Sequence, residues 1–396
     1  MKKAVVVVLI LYFFQAVIHN LGHPITPDYV TGLGIDSYMF GVFFAEMALG
    51  LALGGLFWGL LGDKVNKKRL ILIGLLIYST GQFMFGNVHN VIVMNIVRFI
   101  SGFGVAGSVT LLLSYLVEKS DDKYKKRNIA YSAALMVAGA GLGYFIGGRI
   151  PDLLGTEIIK QTELVFTIQA LVNVVFAFTV YFSLEDCETD YAEHNQTMID
   201  HVKSIRTLDP NLLIFLGSLT LTSIAAINLS KFTEVYIASL GLGSEGIGNF
   251  VGITSIVSIF TTVVLIRLII GLRKDMLVMV LVNLFSAVII ALVFRMDNIV
   301  LGLYSLFMVY VGLKAIYSPF EISFISSHAK PGELSKIMGI RQFFFAIGFV
   351  IGPLVGGFLY DINPIYVFDL SVILFLIAFV IIIIIGKRIA RKVDEY

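Results

Sequence analysis

The chain has 396 residues, of which 58% are hydrophobic and 14% are charged, against about 45–50% apolar residues in an ordinary soluble domain. This composition excludes a water-soluble globular fold, because one soluble core cannot bury so many apolar side chains. The formal net charge of +2 is carried by short loops, so no basic face indicates nucleic-acid binding. The single cysteine, Cys187, excludes an internal disulfide and a cysteine-based metal site.

Apolar runs long enough to cross about 30 Å of hydrocarbon follow one another along almost the whole chain. Charged or Pro/Gly-rich clusters separate them. They predict twelve transmembrane helices, at residues 4–33, 39–62, 70–88, 91–118, 129–150, 164–184, 211–240, 244–270, 276–294, 298–328, 336–360 and 365–387. No small-residue cleavage site follows the first run, which is therefore predicted to be a span and not a signal peptide.

The longest polar interruption, at 185–210, follows the sixth predicted span. It predicts an N-terminal six-helix bundle at 1–184 and a C-terminal six-helix bundle with a short cytoplasmic tail at 211–396, joined by a cytoplasmic linker. Lys and Arg concentrate in the loops of one side, whereas the loops of the other side hold only Arg149, Lys160 and Arg295. The positive-inside rule then places both termini in the cytoplasm. The sequence thus predicts a multi-pass protein of the inner (cytoplasmic) membrane.

A glycine-rich phrase occurs twice at a constant offset, in the fifth predicted span of each half. The matching residues are Gly139, Gly143, Gly147 and Gly148 in span 5, and Gly348, Gly352, Gly356 and Gly357 in span 11. With six spans per half, both copies run in the same direction, so the halves are predicted to be parallel repeats. Glycines three or four residues apart let another helix approach closely. We expect each copy to form a flat surface on which the opposite bundle rocks; ordinary tight packing is the alternative.

Polar side chains recur inside the apolar spans at helical spacing, mostly on spans 1, 4, 7 and 10. They are Gln15, His19, Asn20, His23, Asn95, Arg98, Lys231, Glu234, Tyr310, Lys314, Tyr317 and Glu321, with Glu46 on span 2. An ionisable group inside a bilayer costs at least about 2.5–3.5 kcal/mol, so it faces a cavity or a partner. These residues are therefore predicted to line a cavity for substrate and protons.

The deeply placed charges balance, with three cations against three carboxylates. We expect ion pairs of Arg98 with Glu46, and of Lys231 or Lys314 with Glu234 or Glu321, because an unpaired charge in hydrocarbon is costly. The alternative is that these pairs only hold helices together. A partly desolvated carboxylate or a histidine can exchange a proton near neutral pH. Glu46, Glu234, Glu321 and His19 are thus predicted proton carriers, while His23, beside Pro24, is predicted to be a gate or packing residue.

Three motifs resemble those of the major facilitator superfamily. "GLLGDKVNKKR", from Gly59 to Arg69, resembles the family signature between spans 2 and 3, with Asn66 in place of its second glycine. "RFISGFG", from Arg98, resembles an element of span 4. Span 11 reproduces the glycine and proline spacing associated with antiporters, including Pro353; its usual position is span 5, where Tyr144 replaces the proline.

The resemblance implies an all-α fold of twelve helices in two parallel six-helix bundles, with helices 1, 4, 7 and 10 around a central cavity. It also implies a gating role for the loop after span 2. The gating residues carried over from the motif are Gly59, Asp63, Lys64, Lys68 and Arg69. A carboxylate at Asp63 can interact with a helix N-terminus and with Lys64, which would latch the inner side shut.

No phosphate-binding loop or H-E-x-x-H motif occurs in the sequence, so an enzyme and an ATP-driven pump are not expected; no catalytic residue, metal or cofactor is predicted. The first functional hypothesis is a monomeric, proton-coupled exporter of an amphiphilic small molecule, resembling drug:proton antiporters. The second is a carrier for a defined polar or anionic metabolite, or a flippase for a lipid-linked head group. The third is a membrane receptor that keeps the carrier fold without transporting. Apart from substrate and protons, the lipid bilayer is the expected partner.

Overall fold

The computed structural model describes residues 2–62, 64–155, 157–186, 208–266, 275–328 and 334–394. These residues form helices and connecting turns and contain no β-strand, which confirms the prediction of an all-α protein. Eleven helices in this part of the chain are long and apolar enough to cross a membrane. The N-terminal helix Lys3–His19 is equally apolar but shorter.

Proximity of Cα atoms divides the chain into two compact units. The first holds the described residues of Met1–His194 together with Glu234–Ile256. Its helices are α1 (Lys3–His19), α2 (Thr26–Gly32), α3 (Tyr38–Gly62), α4 (Lys67–Asn87), α5 (Val91–Lys119), α6 (Lys125–Gly147), α7 (Ile150–Leu154) and α8 (Ile158–Ser183), with part of α9 (Pro210–Ser239) and most of α10 (Gly243–Phe260). Helix α5 packs on α3 and α4, α4 on α8, and α1 on α6.

The second unit holds the described residues of Asn195–Thr233 and Val257–Tyr396. Besides the first part of α9, its helices are α11 (Asp275–Val293), α12 (Ile299–Tyr304), α13 (Leu306–Ser327), α14 (Leu334–Ile362) and α15 (Pro364–Asp394). Helix α11 packs on α13 and α15, and α14 contacts both. The unit's buried residues, such as Phe215, Met279 and Phe320, form a core of their own.

The compact units and the predicted halves divide the chain differently at one place. Glu234–Ile256, which the sequence assigns to the second half, packs within the first unit. The contacts of α6 with α9 and α10 described below account for this grouping. The division into 1–184 and 211–396 with a linker between them stays a prediction.

Three predicted spans are interrupted. The first span, predicted as one helix over 4–33, ends at His19 and resumes at Thr26, because Pro24 and Pro27 remove backbone donors and restrict the preceding residues. The tenth is divided at Ser305, whose backbone has φ −119° and ψ −85°. The eighth contains a π-helical turn at Thr261–Leu265.

The repeated glycines face the first long helix of their own half. A side chain at Gly139 or Gly143 would collide with the carbonyl oxygen of Phe13 or Val17 on α1, and one at Gly147 with that of Leu21, just after α1. On α14, side chains at Gly348, Gly352 and Gly356 would likewise meet Ser223, Ile227 and Asn228 on α9. The expectation that all these glycines face the opposite half is therefore wrong. Gly148 differs, since a Cβ there would meet Ser244 and Gly248 at the start of α10.

Gly147→Ala is expected to destabilise the protein by about 1–3 kcal/mol, because the added Cβ overlaps the carbonyl of Leu21, just after α1, and forces the two segments apart. Gly217→Ala in α9 is the matched control, since nothing lies within 4 Å of its added methyl group. Thermal unfolding of the purified variants measures the difference. Equal unfolding temperatures for the two variants would contradict the close α1–α6 approach.

Candidate functional site

The break in α1 is held open by side chains from two other helices. Where the helix stops, the carbonyl oxygens of Ile18 and His19 lose their helical donors. Gln169 on α8 donates from Nε2 to both, at 2.8 and 3.0 Å, and the Tyr78 hydroxyl on α4 donates to His19 O at 3.2 Å. Buried carbonyls are thus satisfied without a helix, which fixes the polar residues of α1 at an irregular segment.

His19 belongs to this network through its ring. Its Nε2 lies 3.2 Å from Asn173 Oδ1, and the ring lies 4.4 Å from that of Tyr78, centroid to centroid. Asn173 uses its amide nitrogen to donate to Leu75 O and Ser79 Oγ. Its oxygen must then accept, so His19 carries its proton on Nε2. This arrangement sets the tautomer of His19 and leaves Nδ1 as the acceptor.

The other predicted residues of span 1 also have partners within the first unit. Gln15 donates to Ser108 Oγ on α5 at 2.7 Å, and Asn20 donates back to Ala16 O at 2.7 Å. The His23 ring stacks on Tyr144 of α6, with centroids 5.6 Å apart and planes 7° from parallel. These residues therefore contact α5 and α6, and His23 packs beside a residue that holds a carboxylate.

Arg98 on α5 is buried among aromatic rings instead of beside a carboxylate. Its guanidinium carbon lies 3.4 Å from the centroid of Phe85 and 5.7 Å from that of Phe166. The side chain is 4% exposed, and within the described residues its Nε has no hydrogen-bond partner. The prediction of an Arg98–Glu46 ion pair is therefore wrong. In the described part of the chain no ion pair joins these residues, and Arg98 makes cation–π contacts instead.

Asn95 and Glu46 are the other two predicted site residues on α5 and α3. Asn95, one turn before Arg98, has a buried Oδ1 without a hydrogen-bond partner among the described residues. Glu46 on α3 is half-buried. Neither contributes a hydrogen bond or ion pair within the described part of the chain.

Glu234 is a buried carboxylate of the first unit. It is 2% exposed, and the Tyr144 hydroxyl on α6 donates to its Oε1 at 3.0 Å. Tyr144 occupies the position where the antiporter pattern has proline. A tyrosine there replaces a backbone kink by a hydrogen-bond donor, which connects α6 directly to the carboxylate on α9.

Helices α6 and α10 are joined next to this hydrogen bond. Arg149, just after α6, donates from Nη2 to Asn249 Oδ1 at 2.7 Å and lies 3.3 Å from Glu245 Oε1. Ser244 Oγ donates to Gly148 O at 3.1 Å. Small residues at this seam let the backbones approach, as in other membrane helix pairs.

The second unit carries its polar residues on α13. Tyr310, Lys314, Tyr317 and Glu321 follow at intervals of three or four residues, so they share one face. Tyr310 packs edge-on against Phe307, with centroids 5.2 Å apart. Lys314 is exposed, whereas Lys231 on α9 is 8% exposed and close enough to repel Lys314 electrostatically.

Glu321 forms its ion pair with a residue that the sequence interpretation overlooked. Arg341 on α14 donates from Nε to Glu321 Oε1 at 2.6 Å and from Nη2 to Oε2 at 3.0 Å. This is the bidentate geometry of a strong charge-assisted pair. The expected pairing of Glu321 with a lysine is therefore wrong. Arg341 lies inside the predicted span 336–360, and a charge within an apolar run was the signal for it.

The loop between α3 and α4 contacts neighbouring helix ends through Lys67 and Lys68. Asp63 lies outside the described residues, Gly59 is half-buried, and Lys64 and Arg69 are exposed. Lys68 Nζ lies 3.8 Å from Asp186 Oδ1 and 4.7 Å above the Tyr181 ring. Lys67 is buried and pairs with Glu118 on α5 at 2.6 Å.

Asn66, which stands in place of the signature glycine, caps α4. Its Oδ1 accepts from Lys68 N at 3.0 Å, and its Nδ2 donates to Asp186 Oδ1 at 2.7 Å.

Asn66→Ala is expected to lower the stability of the protein by about 1 kcal/mol through loss of the cap. Thermal unfolding checks this, with Asn66→Asp, which keeps the capping oxygen, as the control; unchanged stability of Asn66→Ala would contradict the capping role.

Together the described residues supply two kinds of chemistry. In the first unit, the hydrogen-bonded carboxylate of Glu234 lies on α9 and His19, whose tautomer is defined, lies on α1; both helices contact α6. In the second unit, Lys314, Tyr310 and Tyr317 share a helical face with Glu321, whose charge is neutralised by Arg341. The first set can take up and release a proton, whereas the Glu321 carboxylate must leave Arg341 before it can do so.

The sequence is similar to a known family and to known proteins over most of its length. The sequence profile described as Major Facilitator Superfamily matches residues 8–329. The quinolone resistance protein NorA of Staphylococcus aureus (strain COL) is 26% identical over 393 residues, which cover 94% of this chain and 93% of NorA. Multidrug resistance protein 2 of Bacillus subtilis (strain 168) is 21% identical over 382 residues, covering 93% and 91%.

A solved structure agrees with the fold over nearly the whole length. The crystal structure of a bacterial homologue of the human lysosomal transporter Spinster, in an inward-facing and unoccupied conformation, aligns with a TM-score of 0.78 and 11% sequence identity. The alignment covers 98% of each chain. At this identity the likeness concerns the fold alone.

Proposed function

Because the chain belongs to the major facilitator superfamily, we propose that it is a proton-coupled exporter of amphiphilic small molecules that works by alternating access. The observation that carries this proposal is Glu234, a carboxylate buried within an apolar span and hydrogen-bonded by Tyr144. Ionisable residues in such positions mark proton and substrate pathways in transporters. The names of the two relatives, which concern quinolone and multidrug resistance, support an organic drug-like substrate.

In this proposal, substrate and proton compete for Glu234. A cationic amphiphile bound to the carboxylate displaces its proton, and a proton returning from outside displaces the substrate. Tyr144 holds the carboxylate in either state, because its hydroxyl can donate to the ionised form and accept from the protonated form. His19 and Glu46 are the further proton carriers, with Gln15, Asn20, Asn95 and Arg98 in the cavity.

The proposal includes the predicted domain organisation and orientation. The bundles 1–184 and 211–396 alternate around the cavity, with the linker and both termini in the cytoplasm and the protein a monomer in the inner membrane. The loop that contains Gly59, Lys64, Lys68 and Arg69 gates the inner side. The pair Lys67–Glu118 and the contacts of Asn66 and Lys68 with Asp186 support this role, because they join the loop to the ends of other helices.

The second candidate is a carrier for an anionic metabolite or a flippase for a lipid-linked head group. Lys314 favours it, since this ammonium is exposed and forms no ion pair within the described residues. An anionic group would neutralise its charge. A receptor that binds without transporting is the third possibility.

Everted membrane vesicles with an acidified lumen test the first candidate. Several lipophilic cations of different shape are expected to alkalinise the lumen, because each cation that enters exchanges for a proton. Vesicles without the protein are the control. No alkalinisation by any cation, together with uptake of an anionic metabolite, would replace the first candidate by the second. Binding to the purified protein without flux in proteoliposomes would indicate the receptor.

A further inference from the structure

Basic and aromatic side chains lie in a row from the loop after α5 into the start of α6. This row, which we call the ladder, consists of Lys123, Tyr124, Arg127 and Tyr131. The sequence "DKYKKR" places four cations within five positions, Lys123, Lys125, Lys126 and Arg127. Tyr124, Arg127 and Tyr131 follow at intervals of three and four residues, so they share one helical face. The Arg127 guanidinium carbon lies 4.3 Å from the Tyr124 centroid and 5.7 Å from that of Tyr131. The three side chains form a continuous stack.

The side chains of the stack are exposed, whereas hydrogen bonds of buried residues hold the segment that carries them. Tyr124 is 37% and Tyr131 47% exposed, and Lys123 and Arg127 are exposed as well. Asn128, in the same turn, is buried and donates to Ser120 Oγ at 2.9 Å, and Ser120 in turn donates to Leu116 O. These bonds hold the loop against the end of α5. The ladder is thereby a preorganised outward-facing surface.

The nearby acidic residues are already neutralised. Asp121 pairs with Lys2 at 2.7 Å, and Asp122 with Lys125 at 2.7 Å. The hydrogen bond and charge of Lys125 lower the pKa of the Asp122 carboxyl. Within the described residues, Lys123 and Arg127 have ring contacts but no carboxylate partner. Their charge remains available to an anion.

We propose that Lys123, Tyr124, Arg127 and Tyr131 form a binding site for the phosphate head group of an anionic phospholipid. A basic cluster directly beside a membrane helix attracts anionic lipid, and tyrosine is enriched at the membrane–water interface. The guanidinium is planar by itself, and stacking between two rings limits its rotation, so that its N–H groups can bind a phosphate in a bidentate arrangement. The proposal depends on membrane insertion but not on substrate or proton coupling, so transport and lipid binding can fail separately.

Native mass spectrometry of the full-length protein tests this site. The purified chain is incubated with equal amounts of phosphatidylglycerol and phosphatidylcholine that have the same acyl chains. The wild type is expected to retain phosphatidylglycerol preferentially. Each cation removed is expected to lower that preference about fivefold, so Lys123→Gln with Arg127→Gln lowers it about 25-fold. Arg388→Gln, which removes an exposed cation on α15, is the control and keeps the preference.

Three outcomes would overturn the proposal: an unchanged preference in the double variant, an equal loss in Arg388→Gln, or abolition of the preference by inorganic phosphate at the concentration of the lipid. The last result would assign the site to free phosphate. If the double variant does not fold, Arg127→Lys replaces it, because it keeps the charge but not the planar fork. A reduced preference in Arg127→Lys supports the ladder, and an unchanged preference contradicts it.

Discussion

Glu234→Gln is expected to reduce transport driven by a pH gradient to the background level while the protein still folds. Glutamine has the same shape and can accept the Tyr144 hydrogen bond seen at 3.0 Å, but it cannot bind and release a proton. Substrate-evoked alkalinisation in everted vesicles, corrected for the amount of protein in the membrane, measures the effect. The substitution therefore separates proton exchange from packing.

Two controls accompany this variant. Glu157→Gln removes an exposed carboxylate before α8 and is expected to leave the coupling unchanged. Tyr144→Phe removes the hydrogen bond but keeps the ring that stacks on His23, and it is expected to slow transport without uncoupling it. Retention of wild-type coupling by Glu234→Gln would show that another group carries the proton.

Arg341→Met is expected to destabilise the protein by about 3–5 kcal/mol, because it leaves the Glu321 carboxylate buried without its partner. The Glu321 side chain is 3% exposed in this pair. The double variant Glu321→Met with Arg341→Met removes both charges and is expected to regain most of the loss. Denaturation of the purified variants, read as a double-mutant cycle, measures the coupling between the two residues.

An exposed pair in the same unit supplies the matched control. Arg295 Nη2 lies 2.7 Å from Asp369 Oδ1, but 55% of the arginine side chain is exposed. Arg295→Gln is expected to cost no more than about 1 kcal/mol, as surface pairs do. Equal costs for Arg295→Gln and Arg341→Met would mean that burial does not set the strength of the Glu321–Arg341 pair.

The apolar pattern of the sequence was sufficient for the fold class, and the family prediction made from its motifs is confirmed by the match over residues 8–329. The interruptions of spans 1, 8 and 10 were not predicted, because a run of apolar residues indicates that a segment can lie in the membrane but does not specify its backbone conformation. In span 1, Pro24 and Pro27 are a sequence signal for the interruption. At Ser305 the backbone turns without either proline or glycine, so only the packing of α12 and α13 reveals it.

The candidate site was predicted in part. The polar spacing on spans 1 and 10 identified residues that share a helical face, since this depends on sequence distance alone. Their partners were not identified, because Asn173, Tyr144 and Arg341 come from other helices, whose packing the sequence spacing does not specify. Counting charges cannot decide between possible pairs. Arg98 shows this most clearly, since aromatic rings and not Glu46 surround it.

Proteoliposomes with an imposed pH gradient test the central claim, exchange of substrate for protons at Glu234, most directly. Uptake of a lipophilic cation and the accompanying proton movement are followed together in vesicles that contain the wild type or Glu234→Gln. We expect the wild type to accumulate the cation against its gradient with protons moving in the opposite direction, and the variant to do neither. Accumulation that ignores the pH gradient, or that persists in Glu234→Gln, would contradict proton exchange at this carboxylate.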